Sequence, residues 1–247
     1  MLPLSTLEII GSIDQLAALP AGKVLINTVN AHSFNVAQTD DLFAEALSSN
    51  ALIPDGMPIV WACKLLRAKS RPSRRIAGWD LFQFEMERLH RSSSPDHKSK
   101  VMFMGSSENV LALIRERAAV DYPNLEIITY SPPYKPEFSD ADNRVIIEAI
   151  NAADPDLLWI GMTAPKQEKW TYAHWDELDI HCHVGTIGAV FDFYAGTVKR
   201  APEWMQRHGL EWFHRLCSNP KRMWRRYIIG NFKFVVNVMR DFITNQP

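Results

Sequence analysis

The 247-residue sequence lacks several features that would assign a protein to a class at once. It has three cysteines, Cys63, Cys182 and Cys217, which are widely spaced and form no C-x-x-C pair. A disulfide framework is therefore not expected, and a reducing compartment fits best. No run of about 18 apolar residues occurs, so no segment is predicted to span a membrane. The N-terminal residues have no basic segment before their apolar stretch, so a signal peptide is not predicted.

Common catalytic and metal-binding motifs are also missing. The sequence contains no G-x-G-x-x-G, P-loop, G-x-S-x-G or H-E-x-x-H pattern. Asp154 and Asp156 form a D-x-D pattern, but it precedes a predicted strand at the wrong end of the sheet, which favours a turn. His181 and His183 alternate along a predicted strand with no third ligand near in sequence, so no zinc site is expected. The sequence therefore predicts neither a metal site nor a cofactor.

The distribution of charge is uneven. The whole chain carries a formal net charge of −1. Residues 199–247 contain ten Lys/Arg and three acidic residues, a net of +7, which leaves −8 for residues 1–198. An acidic body followed by a basic segment predicts a polyanionic or membrane-surface partner for that segment.

Short β-branched runs alternate with helical patterns through most of the chain. Strands are predicted at residues 23–28, 51–54, 100–105, 125–130, 156–162 and 181–185. Helices are predicted at residues 33–47, 58–66, 79–89, 109–119, 140–152 and 165–174, the last with Pro165 at its first position. This alternation predicts an α/β, Rossmann-like fold, with a mostly parallel sheet and helices on both faces.

Helical patterns dominate after Pro202. Residues 228–238 also fit a strand by composition, but we predict a last helix there. The predicted organisation is an α/β body over residues 1–198 and a basic, aromatic-rich helical appendage over residues 199–247.

Polar loops follow several predicted strands, at the edge where open parallel sheets bind ligands. Asp55 stands between Pro54 and Gly56 and is either part of an Asp-Gly turn or a general base on a rigid turn. Thr28 and Asn30 fit either a substrate contact or a helix cap.

Two further loops offer weaker signals for an anion. The residues Gly105-Ser106-Ser107 fit either a phosphate-binding turn or a helix N-cap. Lys166 and Gln167 lie in the first turn of a predicted helix, where free N–H groups favour an anion; the alternative is a solvated helix start.

Arginines cluster with aromatic residues in the appendage. They are Arg200, Arg215, Arg222, Arg225 and Arg226, beside Trp204, Trp212, Trp224 and Tyr227. Arginine suits bidentate phosphate binding, and aromatic residues beside basic ones suit a bilayer interface. The alternative is a solvated helix face with aromatic residues in the core.

Several of these segments, taken in order, resemble the motifs of the WecG/TagA/CpsF family of bacterial glycosyltransferases. They are TVNAHSF, PDGMPIVW, RRIAGWDLF, VMFMGSSENV, IGMTAPKQEKW, GTIGAVFDFYAG, RAPEWMQRHGLEWFHRL and NPKRMWRRY, from about Thr28 to Tyr227. The resemblance implies an inverting hexosyltransferase that moves a sugar from a UDP-sugar to a polyprenyl-diphosphate-linked sugar in cell-surface polysaccharide synthesis. N-acetylmannosamine or its uronic acid is the donor sugar implied first, and another donor such as UDP-glucose, in exopolysaccharide synthesis, is the alternative.

The resemblance also implies roles for individual residues. Asp55 matches the family's proposed general base, and Thr28 is the other candidate catalytic residue. The candidate substrate-binding residues are Asn30, Arg75, Lys166, Gln167, Arg200, Arg215, Arg222 and Arg225. The arginines of the appendage are expected to close over the active site and meet the diphosphate. Pro58 departs from the glycine of many members, which leaves the donor sugar open.

The expected partners are the UDP-sugar donor, the lipid-linked acceptor and the inner membrane surface, with a homo-oligomer as a further candidate. The implied location is cytoplasmic and peripheral, on the inner face of the plasma membrane. Two other classes stay open. A nucleotide-binding enzyme such as an NAD(P)-dependent one fits the βα pattern but lacks G-x-G-x-x-G, and a nucleic-acid module fits the basic segment but not the acidic body.

Overall fold

The computed structural model of the protein describes residues 2–244, apart from the side chains of Arg207 and Arg222. Within these residues one six-stranded sheet has the order β2-β1-β6-β5-β3-β4. Its strands are β1 (Val24–Val29), β2 (Ala51–Pro54), β3 (Ser99–Gly105), β4 (Leu125–Tyr130), β5 (Leu157–Gly161) and β6 (His183–Thr186). The pairs β1–β6, β6–β5, β5–β3 and β3–β4 are parallel.

Helices connect and follow these strands. They are α1 (Ile13–Ala17), α2 (Ala31–Ala37), α3 (Asp41–Ser48), α4 (Met57–Leu65), α5 (Gly78–Ser92), α6 (Glu108–Asp121), α7 (Asp140–Ala153), α8 (Lys166–Ala173), α9 (Ala189–Ala195), α10 (Glu203–Arg207), α11 (Glu211–Ser218), α12 (Pro220–Trp224) and α13 (Gly230–Thr244). A π-helical turn, Arg225–Ile229, joins α12 to α13. In residues 2–244 no helix combines the length and the apolar character that a membrane span requires.

The chain divides into two compact units. Of the described residues, unit 1 contains 2–18, 28–77 and 199–244, and unit 2 contains 19–27 and 78–198. The predicted division into a body and a membrane-associating appendage stays a prediction. Residues 199–244 belong to the same compact unit as two N-terminal segments.

Unit 2 has helices on both faces of its strands. Because side chains alternate along a strand, Met102 and Met104 of β3 enter one apolar cluster, which also contains residues of α7 and α8. Phe103 enters the other face, where its ring lies 6.3 Å from that of Phe82 in α5 and 5.3 Å from that of Phe191 in α9. The predicted α/β, Rossmann-like architecture is confirmed.

The last helix contributes to the core of unit 1. Phe234 and Val238 of α13 are buried in one cluster with residues of α2, α3 and α4. The rings of Phe34 and Phe234 meet edge to face, with their centroids 5.7 Å apart. The carboxylate of Asp241 accepts hydrogen bonds from Ser5, at 3.0 Å from its backbone N–H and 2.7 Å from its hydroxyl. The predicted helix is confirmed, and it packs against the N-terminal part of the chain.

The predicted boundaries differ from the structure at several elements. The helix predicted at residues 33–47 is two helices, because Asp40 accepts a hydrogen bond from the backbone N–H of Phe43 and caps α3 there. Pro165 precedes α8 as its N-cap instead of being its first residue. The last strand begins at His183, two residues later than predicted.

His183 is held in a buried ionic network of unit 2. Its Nδ1 lies 2.9 Å from the carboxylate of Glu85, and its Nε2 lies 2.9 Å from the carbonyl oxygen of Pro20. The hydrogen bond to Glu85 is the main cause that raises the pKa of His183. Two acceptors on one ring are satisfied together when both nitrogens carry a proton, and Arg88 donates two further hydrogen bonds to the carboxylate of Glu85. The histidine therefore has a structural role at the start of β6.

Core packing by α13 leads to a stability prediction. Phe234→Ala should lower the free energy of unfolding by about 3–5 kcal/mol, because it removes a buried ring from a packed cluster. Phe232→Ala is the matched control, since Phe232 of the same helix is 72 % exposed. Chemical denaturation of the two variants measures the difference. Equal stability of the two variants would contradict the packing of α13 described above.

Candidate active site

Asp55 lies on a rigid turn directly after β2. Its backbone N–H donates to the carbonyl of Val29 at 2.8 Å. The carbonyl of Pro54 accepts from the N–H groups of Gly56, at 3.1 Å, and Ile76, at 3.0 Å. Gly56 has a φ of 132°, a backbone conformation that residues other than glycine rarely adopt. The Asp-Gly turn is therefore present, and it fixes the backbone of Asp55 at the carboxyl end of the strand.

The electrostatic surroundings of Asp55 come from the C-terminal segment and from Arg75. Desolvation is the largest cause acting on its carboxyl, and it raises the pKa of Asp55 above the ordinary value. The positive charges of Arg215, Arg75 and Arg226 oppose this rise, whereas the negative charge of Glu211 adds to it. Burial and Glu211 therefore act against the three arginines on the pKa of this carboxyl, and a role for Asp55 as a general base stays a prediction.

Glu211 joins two of the predicted substrate-binding arginines. Nη1 of Arg75 donates to one carboxylate oxygen of Glu211, and Nη2 of Arg200 donates to the other at 3.2 Å. Nη2 of Arg75 also donates to the carbonyl of Gln206 at 3.2 Å. The structure thus brings Arg75 and Arg200 together on the carboxylate of Glu211. Their roles toward a substrate stay predictions.

The remaining arginines lie in α11 and in the segment that follows it. Arg215 belongs to α11, and its charge is the largest one opposing the raised pKa of Asp55. Arg225 and Arg226 lie in the π-helical turn; Arg225 is exposed, with its guanidinium carbon 5.5 Å from the centre of a Trp224 ring. Turns of this kind are rare and are frequent at functional sites. The side chain of Arg222 lies outside the described residues.

Arg226 also acts on His32, a residue of α2. Desolvation is the main cause that lowers the pKa of His32, and the charge of Arg226 adds to it. Arg226 therefore influences both His32 and Asp55. Unlike Arg225, it is partly buried.

Asn30 caps α2. Its Oδ1 accepts from the backbone N–H groups of His32 and Ser33, each at 3.0 Å, and the Ser33 hydroxyl accepts from the N–H of Asn30 at 2.8 Å. The capping interpretation of Asn30 is confirmed. Thr28 is partly exposed near the end of β1. Substrate contacts by Thr28 and Asn30 stay predictions.

Lys166 and Gln167, in unit 2, begin α8 without forming a solvated helix start. Nζ of Lys166 donates to the carbonyl of Lys135 at 2.6 Å and lies 3.4 Å from the centre of the Phe138 ring. Desolvation by these neighbours lowers the pKa of Lys166. Gln167 is 4 % exposed, and its side chain is hydrogen-bonded at both ends. Substrate binding by these two residues stays a prediction.

The loop after β3 forms a helix cap. The hydroxyl of Ser107 accepts from the backbone N–H of Val110 at 3.4 Å, at the start of α6. Gly105 has a φ of 126°, and a Cβ there would lie 2.4 Å from the carbonyl oxygen of Gly161. The glycine therefore lets the ends of β3 and β5 approach closely.

The predicted turn at Asp154 and Asp156 is confirmed. Asp154 ends α7 in the left-handed conformation, and the carboxylate of Asp156 accepts from the N–H of Lys100 at 2.8 Å. Among the described residues, no group of three or more His, Cys, Asp or Glu side chains is placed to hold a metal ion.

Three residues of these networks were not predicted from the sequence. Arg226 was seen as part of the arginine cluster but received no role of its own. Glu211 is one of three acidic residues in the basic segment, and that scarcity was the available signal. Glu168 follows Gln167 directly, and no pattern distinguishes it from an ordinary exposed acid of a helix.

Comparison with known proteins gives a family match and several relatives. The model of the family described as "Glycosyl transferase WecG/TagA/CpsF family" matches residues 2–247. A Bacillus subtilis (strain 168) protein named N-acetylglucosaminyldiphosphoundecaprenol N-acetyl-beta-D-mannosaminyltransferase is 31% identical over 218 residues, 88% of this chain and 79% of the relative. Proteins of the same name from Bacillus spizizenii and Staphylococcus aureus (strain MW2) are 33% and 25% identical, over 84% and 86% of this chain and 75% and 79% of those relatives.

The buried carboxyl of Glu168 leads to a pH-dependence prediction. Burial raises the pKa of Glu168 to about 7, from 4.5. As pH rises from 4.5 to 7, the unfolded chain loses this proton while the folded chain keeps it, so folding stability falls, by roughly 3 kcal/mol in all. Glu168→Gln has no proton to lose in this range, so this fall in stability with rising pH is removed. Its unfolding free energy relative to the wild type should therefore be higher at pH 8 than at pH 5.

Denaturant unfolding at the two pH values measures this difference. Glu148→Gln, which changes an exposed carboxyl of α7, controls for the loss of one negative charge. A Glu168→Gln variant whose stability relative to the wild type does not change with pH would show that Glu168 is not a buried acid.

Proposed function

The chain belongs to the WecG/TagA/CpsF family of glycosyl transferases, and from this premise we propose that it transfers a sugar from a UDP-sugar to a polyprenyl-diphosphate-linked sugar with inversion. The names of the relatives support an acceptor of the N-acetylglucosaminyl-diphosphoundecaprenol type and an N-acetylmannosaminyl donor group. N-acetylmannosamine is therefore the first donor sugar to test, with its uronic acid and UDP-glucose as alternatives. The reaction fits a role in cell-surface polysaccharide synthesis.

The observation that carries the mechanism is the placement of Asp55. In a single displacement, Asp55 takes the proton of an acceptor hydroxyl as that oxygen bonds to the anomeric carbon. The bond from the anomeric carbon to UDP breaks, and UDP leaves with the electron pair from the opposite face. The raised pKa of Asp55 supports this assignment, because a carboxylate with a raised pKa is a stronger base.

The arginines of the C-terminal segment support stabilisation of the leaving diphosphate. Arg215 and Arg226 already place positive charge around Asp55, and Arg222 and Arg225 occupy neighbouring positions in sequence. Preorganised positive charge that meets negative charge developing on a leaving group accelerates transfer. We expect Arg75 and Arg200 to contribute while Glu211 holds their side chains in place.

The nucleotide part of the donor is expected at the carboxyl ends of the strands of unit 2. The chain leaves β3 toward the edge strand β4 and leaves β5 toward β6, on the other side, so the direction of the connections changes between β3 and β5. Open parallel sheets bind ligands at such points. The close approach of Gly105 and Gly161 there keeps side chains out of the way.

Contact with a membrane surface is supported by α13. Its buried side carries Phe234 and Val238. Its other side exposes a stripe of apolar residues, Phe232, Val235, Val236, Met239 and Ile243. An amphipathic helix beside arginines and tryptophans suits peripheral binding to an anionic bilayer, and we propose the inner face of the plasma membrane as the location.

The catalytic assignment leads to a prediction for Asp55. Asp55→Asn should lower kcat by about 10²–10⁴-fold, because removal of a general base has effects of that size. The acceptor is a short-chain polyprenyl-diphosphate N-acetylglucosamine, and release of UDP and extension of the acceptor are measured together. In the wild type, kcat/KM should fall at acid pH with an apparent pKa above the ordinary aspartate value, because protonated Asp55 cannot accept the proton.

Asp41→Asn, an exposed aspartate in the first turn of α3, is the control. Thermal unfolding of both variants checks that the fold is kept. Turnover by Asp55→Asn close to that of the wild type would exclude Asp55 as the base.

The membrane proposal leads to a prediction for the exposed stripe of α13. Replacing Phe232 and Ile243 together by serine should weaken binding to vesicles with anionic phospholipid by at least about tenfold, because each buried apolar side chain contributes about 1.5–3 kcal/mol. Val120→Ser, a 79 % exposed residue of α6, is the control. Vesicle sedimentation at low and high salt gives the measurement. If the double variant loses only self-association, the stripe is a subunit interface and the membrane proposal is wrong.

A further inference from the structure

The amide of Gln167 joins two loops of unit 2. Its Oε1 accepts from the backbone N–H of Met162, after β5, and from that of Gly188, after β6, each at 3.2 Å. Because backbone N–H groups only donate, the atom that faces both of them must be the amide oxygen. The amide nitrogen of Gln167 therefore faces the other way.

That nitrogen donates to Oε1 of Glu168 at 2.9 Å. Both ends of the Gln167 amide are thus engaged by protein groups. With 4 % of Gln167 exposed, little of its side chain is available to a substrate.

The two loops leave neighbouring strands. β5 and β6 are paired, with Ile160 opposite Thr186, so their carboxyl ends lie side by side. A Cβ on Gly188 would lie 2.6 Å from the carbonyl oxygen of Met162 and 3.0 Å from Oε1 of Gln167. The glycine at this position therefore permits the contact between the loops and the amide that bridges them.

Glu168 is costly to bury. It is 1 % exposed, and its Oε2 has no hydrogen-bond partner among residues 2–244. Burial raises the pKa of its carboxyl to about 7, which reflects the cost of ionising it there. An apolar side chain would avoid this cost, so the carboxyl is explained by the hydrogen bond that orients Gln167.

We propose that Gln167 and Glu168 are positioning residues: Gln167 clamps the loops after β5 and β6, and Glu168 fixes the orientation of the Gln167 amide. They shape the donor subsite through residues 162–165 and 187–188 without touching the substrate. This role differs from direct substrate binding by Gln167. The identity of the donor rests on the proposed transfer reaction. The clamp does not, because it consists of hydrogen bonds within unit 2.

The test combines amide hydrogen exchange at Met162 and Gly188 with binding of UDP. Gln167→Leu should speed exchange at both amides at least about tenfold, because their acceptor is lost. It should raise the Kd for UDP and the donor KM by a similar factor, with a smaller change in kcat. Glu168→Leu, which leaves Gln167 in place, should show the same pattern more weakly and replaces Gln167→Leu if that variant does not fold.

Two further variants separate positioning from general stability. Glu168→Gln keeps an acceptor for the Gln167 amide and should retain slow exchange and wild-type UDP affinity. Thr171→Val removes a buried hydroxyl that donates to the backbone carbonyl of Gln167 at 2.8 Å, without touching its amide. It should lower global stability while leaving exchange at Met162 and Gly188 slow relative to Gln167→Leu.

Unchanged exchange in Gln167→Leu would overturn the clamp. Faster exchange with unchanged UDP affinity would overturn its role in the donor subsite. A fall in kcat with unchanged exchange would assign Gln167 to direct contact with the substrate and also overturn the proposal. If the wild type transfers no sugar from any UDP-sugar, the proposed reaction fails, but the exchange data still decide the clamp.

Discussion

Burial raises the pKa of a carboxyl group, and nearby positive charge limits that rise by favouring the ionised form. Both effects act on Asp55, whose backbone is fixed by the turn after β2: desolvation raises its pKa, and Arg215, Arg75 and Arg226 oppose the rise. Two of these arginines belong to the C-terminal segment. The packing of α13 against the N-terminal part of unit 1 anchors the segment that carries them, and the proposed mechanism depends on it.

Unit 2 contains two kinds of buried polar network, which differ in how their charged groups are satisfied. At the start of β6, His183 and Glu85 neutralise each other and the network is structural. At the carboxyl ends of β5 and β6, one carboxylate oxygen of Glu168 has no hydrogen-bond partner among residues 2–244, and the other accepts from the Gln167 amide. The groups of the first network satisfy one another, whereas the half-satisfied acid of the second fits the positioning role that we propose for it.

The fold was largely predictable from the sequence because buried parallel strands appear as short apolar runs between helical patterns. The strands of unit 2 and the helical character of residues 230–244 followed from local pattern alone. The break at Asp40 was missed because a side-chain cap competes with an otherwise continuous helical pattern. Pro165 was placed one position too far into α8 because proline is tolerated at both positions.

The site was predictable to a smaller extent. Asp55 was selected by its position in a turn after a predicted strand, and the arginines by their clustering with aromatic residues. The resemblance to family motifs then assigned their roles, which stay predictions. The partners Glu211 and Glu168 depend on contacts that a single sequence does not reveal. Glu211 contacts Arg75 from 136 positions away, and the burial of Glu168 depends on how α8 packs.

The central claim is a single displacement with Asp55 as base, and the stereochemistry of the product tests it most directly. The wild-type protein is given UDP-N-acetylmannosamine, with the other UDP-sugars in parallel, and a short-chain polyprenyl-diphosphate N-acetylglucosamine. Mass spectrometry and proton NMR then identify the extended lipid and its new glycosidic bond. The account predicts one UDP released for each acceptor extended, with the anomeric configuration opposite to that of the donor. A product that retains the donor configuration would contradict it.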